Sequence, residues 1–497
     1  MKAKKYSVIL ILAVILLISL VLRVNPLLEV RDYWYDEAFT GVLLKKPWGE
    51  MNQMIFDDVH PPLYYWLAKP LAAMFNYSPA GIRSLSVIFG FLTVVSLYWV
   101  GKKMFNQKTG LLAASFCALS PFAIQYSQEA RMYALFGFLM IWAVWFFYKA
   151  LKDNSWKYWI WWGVFGGLAF YTHYLALFFF LVFYATFVFY NKIFLKKSFK
   201  NAVFKNVKFW GGTGIIFIFF LTWVKILIGH LSRKGLGWVE KADLSNIPET
   251  IQYFFFGHIP GKILMPEPNT FRSFEVSFKG NEFTVGPFFD GSSVGLVVFA
   301  LMLALFILLW MKKKIRKEMF LLGMISFGTM FLLIVFSWAG LKLYVARYFM
   351  PVAVIVYLLL AGMLTAYFKN KNAWFYCLLV YSFLILLMNP IKYDTAWYQF
   401  LNGGLVKENE KVIVDNPFSY ASAKYYLGED RVKLYNRHNP KQDFSLWIII
   451  DQEDIITDLD KIKNNPEVNI LDDENCDWQE IELKEKADFK NLKFCSF

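Results

Sequence analysis

Charged residues are what this sequence has least of. Asp, Glu, Lys and Arg make up 18% of its 497 residues, against 57% hydrophobic and 20% aromatic. A soluble domain carries about 25% charge. A soluble globular enzyme is therefore excluded, and so is a disordered chain, which does not hold this many aromatics. Cysteine occurs four times, too seldom for a secreted scaffold built on disulfides. No G-x-x-x-x-G-K-[ST] phosphate loop is present, nor any internal repeat or low-complexity linker. What is present is a series of apolar runs from the N-terminus to about residue 389, with a mean hydropathy of +0.40 over the whole chain. That pattern is a polytopic α-helical membrane protein.

A spanning helix needs about 20 mostly apolar residues. The candidate spans are 6–22, 85–100, 110–124, 132–148, 158–172, 174–190, 209–228, 292–311, 319–341, 348–368 and 374–389, eleven in all. Runs near 15 residues read as broken or tilted spans. The first run follows Lys2, Lys4 and Lys5, as a signal peptide would. Arg23-Val-Asn-Pro26 offers no small-residue cleavage site, so the helix is read as retained.

Charge orients the spans. The net charge is +14, but residues 392–497 hold 14 basic and 21 acidic groups, leaving 38 and 17 for the first 391. The short segments 2–5, 102–108, 149–157, 191–208, 312–317 and 369–371 carry 22 Lys and Arg and a single acid, Asp153. The positive-inside rule makes these cytoplasmic. Segments 23–84 and 229–291 and the tail from 392 then lie outside. An odd span count agrees with a cytoplasmic N-terminus and an extracytoplasmic C-terminus in a multi-pass protein of the plasma membrane. Basicity used for orientation argues against nucleic acid as a partner.

The tail differs in composition. Lys411-Val-Ile-Val-Asp and Leu446-Trp-Ile-Ile-Ile-Asp451 read as short buried strands, with a helix over 419–427 between them. The chain thus divides into a transmembrane domain, 1–391, and a small extracytoplasmic α/β domain, 392–497. Cys476 and Cys495 both lie in that domain, where a disulfide could form. Cys117 and Cys377 lie in spans and read as packing residues.

Charge beside a bilayer is costly, so polar clusters there need a reason. The first outer segment holds Arg31-Asp-Tyr-Trp-Tyr-Asp-Glu-Ala38 and Asp57-Asp-Val-His-Pro-Pro-Leu-Tyr-Tyr65. Asp32 and Asp36 are i,i+4 and share a face if the segment is helical. Asp36 and Glu37 are adjacent, point about 100° apart and need different partners. Asp57 and His60 are i,i+3, with Pro61-Pro62 stopping that turn. An acidic, aromatic-lined site at the lipid–water boundary suits an amphiphilic substrate. A solvated loop is the plain alternative. A divalent cation held by carboxylates and His60 is another, although one histidine with scattered acids is no metal signature.

Three further clusters lie at outer ends of spans. Gln125-Tyr-Ser-Gln-Glu-Ala-Arg-Met-Tyr133 sets Glu129 and Arg131 near the outer surface, or forms a local ion pair on a boundary helix. Tyr171-Thr-His-Tyr174 contributes His173, as readily a structural histidine as a ligand. Lys342-Leu-Tyr-Val-Ala-Arg-Tyr348 puts two cations on the side the charge trend leaves poor in them. Arg347 followed by Tyr348 could bind phosphate, since a guanidinium matches phosphate oxygens, or it could snorkel. Arg83, opening the second span, has the same two readings.

Taken in order, these motifs resemble the GT-C glycosyltransferases. They are Asp36-Glu37, then Asp58-Val-His-Pro-Pro-Leu-Tyr-Tyr65, then Ile82-Arg-Ser-Leu-Ser86. Ser120-Pro-Phe-Ala-Ile-Gln-Tyr-Ser-Gln-Glu-Ala-Arg-Met-Tyr-Ala134, Tyr171-Thr-His-Tyr174 and Ala346-Arg-Tyr-Phe-Met-Pro351 continue the set. The branch most resembled contains the protein O-mannosyltransferases and the bacterial lipid A aminoarabinose transferases. The resemblance covers about residues 1–390 and implies a GT-C fold of about 11–13 spans. It also implies a transferase that takes a hexose or pentose from a polyprenyl-phosphate donor, among membrane lipids, to a lipid, protein or glycan acceptor.

By the family's pattern the first-loop acid is catalytic, and the matching position is Asp36, with Glu37 beside it. Direct displacement, inverting the anomeric carbon, needs a base near the acceptor and positive charge near the departing phosphate. Asp36 is the expected base, and Glu37 orients it or binds sugar hydroxyls. Arg83, Arg131 and Arg347 are candidates for the phosphate, with Tyr348, Asp58 and Glu129 for donor phosphate or sugar. His60 and His173 could hold a metal together, or bind phosphate or sugar. The donor is already activated, so no nucleotide cofactor is expected. Two alternatives stay open. A transporter or flippase of lipid-linked sugars would spread polar residues along its spans. A non-catalytic membrane assembly protein would leave the first-loop acids idle.

Overall fold

The structure, a computed structural model, describes residues 2–28, 33, 35–196, 204–231, 239, 241–257, 274–278, 281–285, 291–368, 381–382, 411–414, 417–435, 455–456, 468–472, 477–478, 481–482, 484–489 and 492–496. The helices in chain order are α1 (Lys2–Leu28), α2 (Tyr35–Lys45), α3 (Trp48–Asp57), α4 (Leu63–Met74), α5 (Pro79–Met104), α6 (Gln107–Leu119), α7 (Pro121–Gln128) and α8 (Tyr133–Asp153). There follow α9 (Trp156–Phe170), α10 (Ala176–Phe194), α11 (Val207–Leu231), α12 (Asn246–Phe256), α13 (Gly291–Met311), α14 (Lys317–Trp338), α15 (Met350–Tyr367) and α16 (Pro417–Leu427). The strands are β1 (Phe274–Phe278), β2 (Asn281–Val285), β3 (Lys411–Val414), β4 (Val432–Tyr435), β5 (Ile455–Ile456), β6 (Val468–Asp472), β7 (Asp477–Trp478), β8 (Ile481–Glu482), β9 (Lys484–Phe489) and β10 (Leu492–Ser496).

Among the described residues, seven helices are long and apolar enough to cross a bilayer, or eight if the bent pair α6–α7 is one span. The chain is a multi-pass helical membrane protein. Of the eleven expected runs, 374–389 is described only at 381–382. The run at 158–172 is α9, only 15 residues long, and that at 292–311 is α13, apolar over Gly295–Met311. Each of the other eight coincides with a helix or with the bent pair.

The bend has a cause visible in the chain. A residue before proline avoids the α region, and Ser120 accordingly takes φ −62°, ψ 120°, while α6 and α7 meet at 61°. Its hydroxyl accepts the Ala123 amide at 3.0 Å and so caps α7. Proline also lacks an N–H. Pro121 cannot serve the carbonyl of Cys117, and Pro26, inside α1, cannot serve that of Leu22. Both carbonyls are reached from across: Arg23 Nη2 donates to Cys117 O at 2.9 Å, and Gln128 Nε2 donates to Leu22 O at 2.6 Å. Arg23 is fully buried. It donates further to Ala118 O at 3.3 Å, Ser19 Oγ at 3.0 Å and Ser127 Oγ at 3.2 Å. Gly90 makes room for this brace, since a Cβ there would stand 2.1 Å from Ser127 Oγ.

Arg23 therefore braces α1 against α6 and α7 rather than marking the end of the first span. Replacing it by Met leaves buried carbonyls without their charged donor, at a cost of about 3 kcal/mol. The expected result is a lower unfolding midpoint in detergent titration of purified Arg23→Met. Arg23→Lys should restore only part of the loss, because an ammonium cannot fork across several acceptors. An unchanged midpoint in Arg23→Met would deny the brace any role in stability.

Contacts divide the chain into two compact units. The first holds Met1–Asn25, Ser86–Val224 and Leu236–Lys392. At its centre stands α15, apolar and buried on nearly every face, as a helix enclosed by others is. Helices α6, α8, α13 and α14 pack on it. Its Tyr357 hydroxyl is satisfied by Phe254 O at 2.6 Å and Ser120 Oγ at 2.7 Å. β1 and β2 pair as an antiparallel hairpin.

The second unit holds Pro26–Leu85, Lys225–Gly235 and Tyr393–Phe497. Composition marks the tail off at 392, but packing joins it to the segment after the first span, with α16 lying on α2. Its main sheet has the order β5-β4-β3-β6-β10-β9. β5, β4, β3 and β6 run parallel, and β10 runs antiparallel to both β6 and β9. The expected strand at 411–415 and helix at 419–427 are β3 and α16, a small α/β arrangement. The strand expected over 446–451 lies outside the described residues. So does Cys476, and with it the suggested Cys476–Cys495 disulfide.

Candidate active site

In the second unit, α2 begins at Tyr35, so Asp36 and Glu37 occupy its first turn, where the helix dipole favours carboxylates. Asp36 is half-buried, and Thr40 Oγ1 donates to its carbonyl at 3.0 Å. Asp32 lies outside the described residues, so a face shared with Asp36 is not described. Glu37 is fully buried and takes a two-pronged contact from Arg83: Nε to Oε1 at 2.8 Å and Nη2 to Oε2 at 2.8 Å. Fork-to-fork pairing is the strong form of this interaction. The ring of Tyr33 covers the guanidinium, 4.4 Å from ring centre to Arg83 Cζ. Burial pushes the Tyr33 phenol well above its ordinary value, so it keeps its proton at neutral pH. Of the two adjacent acids, Glu37 is the one that Arg83 engages.

Asp58 and His60 form a second pair in this unit. Helix α3 ends at Asp57, and Asp58 turns to an extended conformation. That turn brings buried Asp58, not Asp57, to His60, with Oδ2 2.9 Å from Nδ1. Asp57 accepts instead from Gln53 Nε2 at 3.0 Å. The i,i+3 spacing of Asp57 and His60 held no information because the helix does not continue that far. Buried Lys69, not singled out in the sequence, donates to the carbonyls of Leu44, at 2.7 Å, and Lys46 and closes the C-terminus of α2.

The first unit brings the other three motifs together. His173 lies 4.7 Å from Tyr348, ring centre to ring centre, and Tyr133 lies 6.2 Å from Tyr348. Phe136 stacks on His173 at 5.3 Å. The Leu175 amide donates to His173 Nδ1 at 3.1 Å, which puts the proton of a neutral ring on Nε2. Arg347 stands in the short 3₁₀ turn Ala346–Phe349 and is buried, its Cζ 5.8 Å from the Tyr348 ring centre. Glu129 and Arg131 are buried in the bend after α7. Glu129 Oε1 accepts from Gln125 Nε2 at 3.3 Å, and Arg131 O accepts from Ser86 Oγ at 3.0 Å. Tyr253 of α12 joins from a segment with no motif: its hydroxyl lies 3.0 Å from that of Tyr126 and 3.4 Å from Gln125 Oε1. Only the buried aromatic run of α12 could have hinted at it.

Among the described residues, no three His, Cys, Asp or Glu side chains stand together as a metal site. Asp58 with His60 makes two, and His173 Nδ1 is engaged by an amide. Among the described residues, the divalent cation suggested for His60 and His173 would have these donors and no cluster of three.

Fold and site define a class: a multi-pass helical membrane protein with a half-buried carboxylate on the first turn of a helix and a buried Glu–Arg pair beside it. Residues 59–225 match the family described as dolichyl-phosphate-mannose-protein mannosyltransferase. Among solved structures, ArnT from Cupriavidus metallidurans in the apo state is similar, with a TM-score of 0.62 at 10% identity, covering 99% of this chain and 98% of that one. The same protein bound to undecaprenyl phosphate gives 0.61 at 10% identity, covering 98% and 97%. Archaeal oligosaccharyltransferase AglB from Archaeoglobus fulgidus, in complex with an inhibitory peptide and a dolichol-phosphate, gives 0.51 at 12% identity, covering 95% and 70%. The chain shares the fold of these solved structures, the fold its ordered motifs imply. No curated protein sequence matches it.

Proposed function

We propose that this protein is a glycosyltransferase that moves a monosaccharide from a polyprenyl-phosphate donor to an extracytoplasmic lipid, protein or glycan acceptor, with inversion at the anomeric carbon. The observation that carries the reading is Asp36, half-buried on the first turn of α2, beside a Glu37 already engaged by Arg83. The family match over 59–225 and the undecaprenyl phosphate bound by ArnT support the donor class. In this reading an acceptor O–H or N–H attacks the anomeric carbon while the carbon–oxygen bond to phosphate breaks. Asp36 takes the acceptor's proton, and polyprenyl phosphate leaves with the bonding electron pair. Arg347 and Arg131 stabilise the departing phosphate, and Tyr348, Glu129 and Asp58 contact donor phosphate or sugar. Glu37 and Arg83 hold the first turn of α2 rather than touching substrate. His173 and His60 serve as polar contacts. The cytoplasmic N-terminus and extracytoplasmic tail inferred from loop charge complete the proposal.

The test is purified protein given labelled polyprenyl-phosphate sugars and acceptor extract, followed by mass analysis of products. A glycosylated acceptor and free polyprenyl phosphate are expected. Movement of intact donor between leaflets without product would make the protein a transporter instead. A membrane-impermeant acceptor should be used by right-side-out vesicles and not by inverted ones. Arg347→Ala should raise the apparent KM for donor lipid roughly 10-fold or more, since a charge-assisted contact of about 1.5–3 kcal/mol is lost. An unchanged donor KM would remove Arg347 from the phosphate site.

A further inference from the structure

The tail helix α16 ends in two tyrosines that reach both ends of α2 within the second unit. At the N-terminal end, the Tyr33 amide donates to Tyr426 Oη at 2.9 Å, and the Tyr33 ring meets that of Tyr425 edge-on at 4.5 Å. Tyr425 Oη donates to the Tyr77 carbonyl at 3.1 Å, just ahead of α5. In the middle of α2, the Tyr425 ring lies where a side chain at 41 would be: a Cβ on Gly41 would stand 2.6 Å from its Cδ2. At the C-terminal end, Lys45 Nζ sits 4.0 Å over the Tyr425 ring and donates to Tyr425 O at 3.3 Å. The same Tyr33 covers Arg83, which holds Glu37, the neighbour of Asp36. The chain separation across these contacts is nearly 400 residues, so nothing local imposes them.

We infer that Tyr425 and Tyr426 are positioning residues: through Tyr33, Gly41 and Lys45 the tail holds α2 in place and so aims the Asp36 carboxylate. The tail is then part of the catalytic machinery and not only a module appended for acceptor choice. The inference rests on the proposed transferase reading for its activity arm, but not for its structural arm. A small displacement of a reacting group can cost about 10²-fold in rate, so a loosened α2 acts on turnover more than on donor affinity.

Tyr426→Phe removes one acceptor and keeps the ring. Tyr425→Ala clears the space against Gly41, and Tyr425→Phe keeps the ring there. Two readouts are taken on each full-length variant: hydrogen exchange over residues 35–45, and kcat and donor KM in the labelled-donor assay. The expected result for Tyr426→Phe and Tyr425→Ala is exchange in α2 faster by 10-fold or more and kcat lower by roughly 10-fold to 10²-fold, with donor KM unchanged. Tyr425→Phe should recover most of both losses. Wild-type exchange in α2 overturns the inference. Faster exchange with unchanged kcat also overturns it, since the contact would then be structural only. If wild-type protein itself makes no product, the transferase reading fails, and the exchange arm alone decides whether the tail holds α2.

Discussion

Asp36→Asn is expected to lose sugar transfer by about 10²–10⁴-fold while keeping the fold. The amide is nearly the size of the carboxylate and cannot accept the acceptor's proton. Asp36 sits in the first turn of α2, so the variant also gives up a favourable interaction with the helix dipole, worth about 0.3–1 kcal/mol. That is too little to unfold a unit in which α2 is packed by α16 and closed by Lys69. Single-turnover transfer from labelled donor lipid measures the chemical step, and the unfolding midpoint of the same preparation checks the fold. Near-normal transfer in this variant would remove Asp36 from the chemistry, and with it the base proposed here. Glu37→Gln serves as the contrast. It should lose stability first and activity as a consequence, because Glu37 is buried against Arg83.

The largest effect on stability is expected at that pair. Glu37 and Arg83 are 0% and 2% exposed and joined by two bonds of 2.8 Å. Removing one partner leaves the other charge buried without compensation, which costs about 3–5 kcal/mol. Glu37→Leu and Arg83→Leu should each lower the unfolding midpoint by that order. The double variant should be more stable than the sum of the two losses predicts, and it could approach wild type, because two apolar groups need no pairing. Arg83→Lys should rescue little, since an ammonium cannot match both carboxylate oxygens. Denaturant titration of the four proteins in mixed micelles gives the coupling. Strict additivity would mean that the two side chains contribute independently and that the pair does not hold the first turn of α2.

Much of this was legible along the chain. Apolar runs located the spans, because a run of that length has nowhere else to go. The break in 110–124 was written in Ser120-Pro121, and a run of that length already read as a broken or tilted span. The angular separation of Asp36 and Glu37 already required two partners. What the chain did not disclose was the identity of those partners. Arg83 presented as a phosphate ligand because a lone arginine at a span end looks the same whether it meets a phosphate or a carboxylate. Helical spacing paired His60 with Asp57, but α3 ends there and Asp58 is the acid that meets His60. Tyr253, Tyr425 and Tyr426 belong to no motif and were not anticipated.

The amino-acid order by itself determined that this is a polytopic helical membrane protein, where its apolar helices lie, and which polar clusters need explaining. Those properties follow from local hydrophobicity, proline chemistry and the order of short motifs. Tertiary structure alone decided that Glu37 is bound by Arg83, that Arg23 and Gln128 repair carbonyls orphaned by prolines on each other's helices, and that the tail lies on the helix carrying Asp36. Each of these joins groups from distant parts of the chain, and the choice among chemically equivalent partners is made by packing, which leaves no periodic trace in a single sequence.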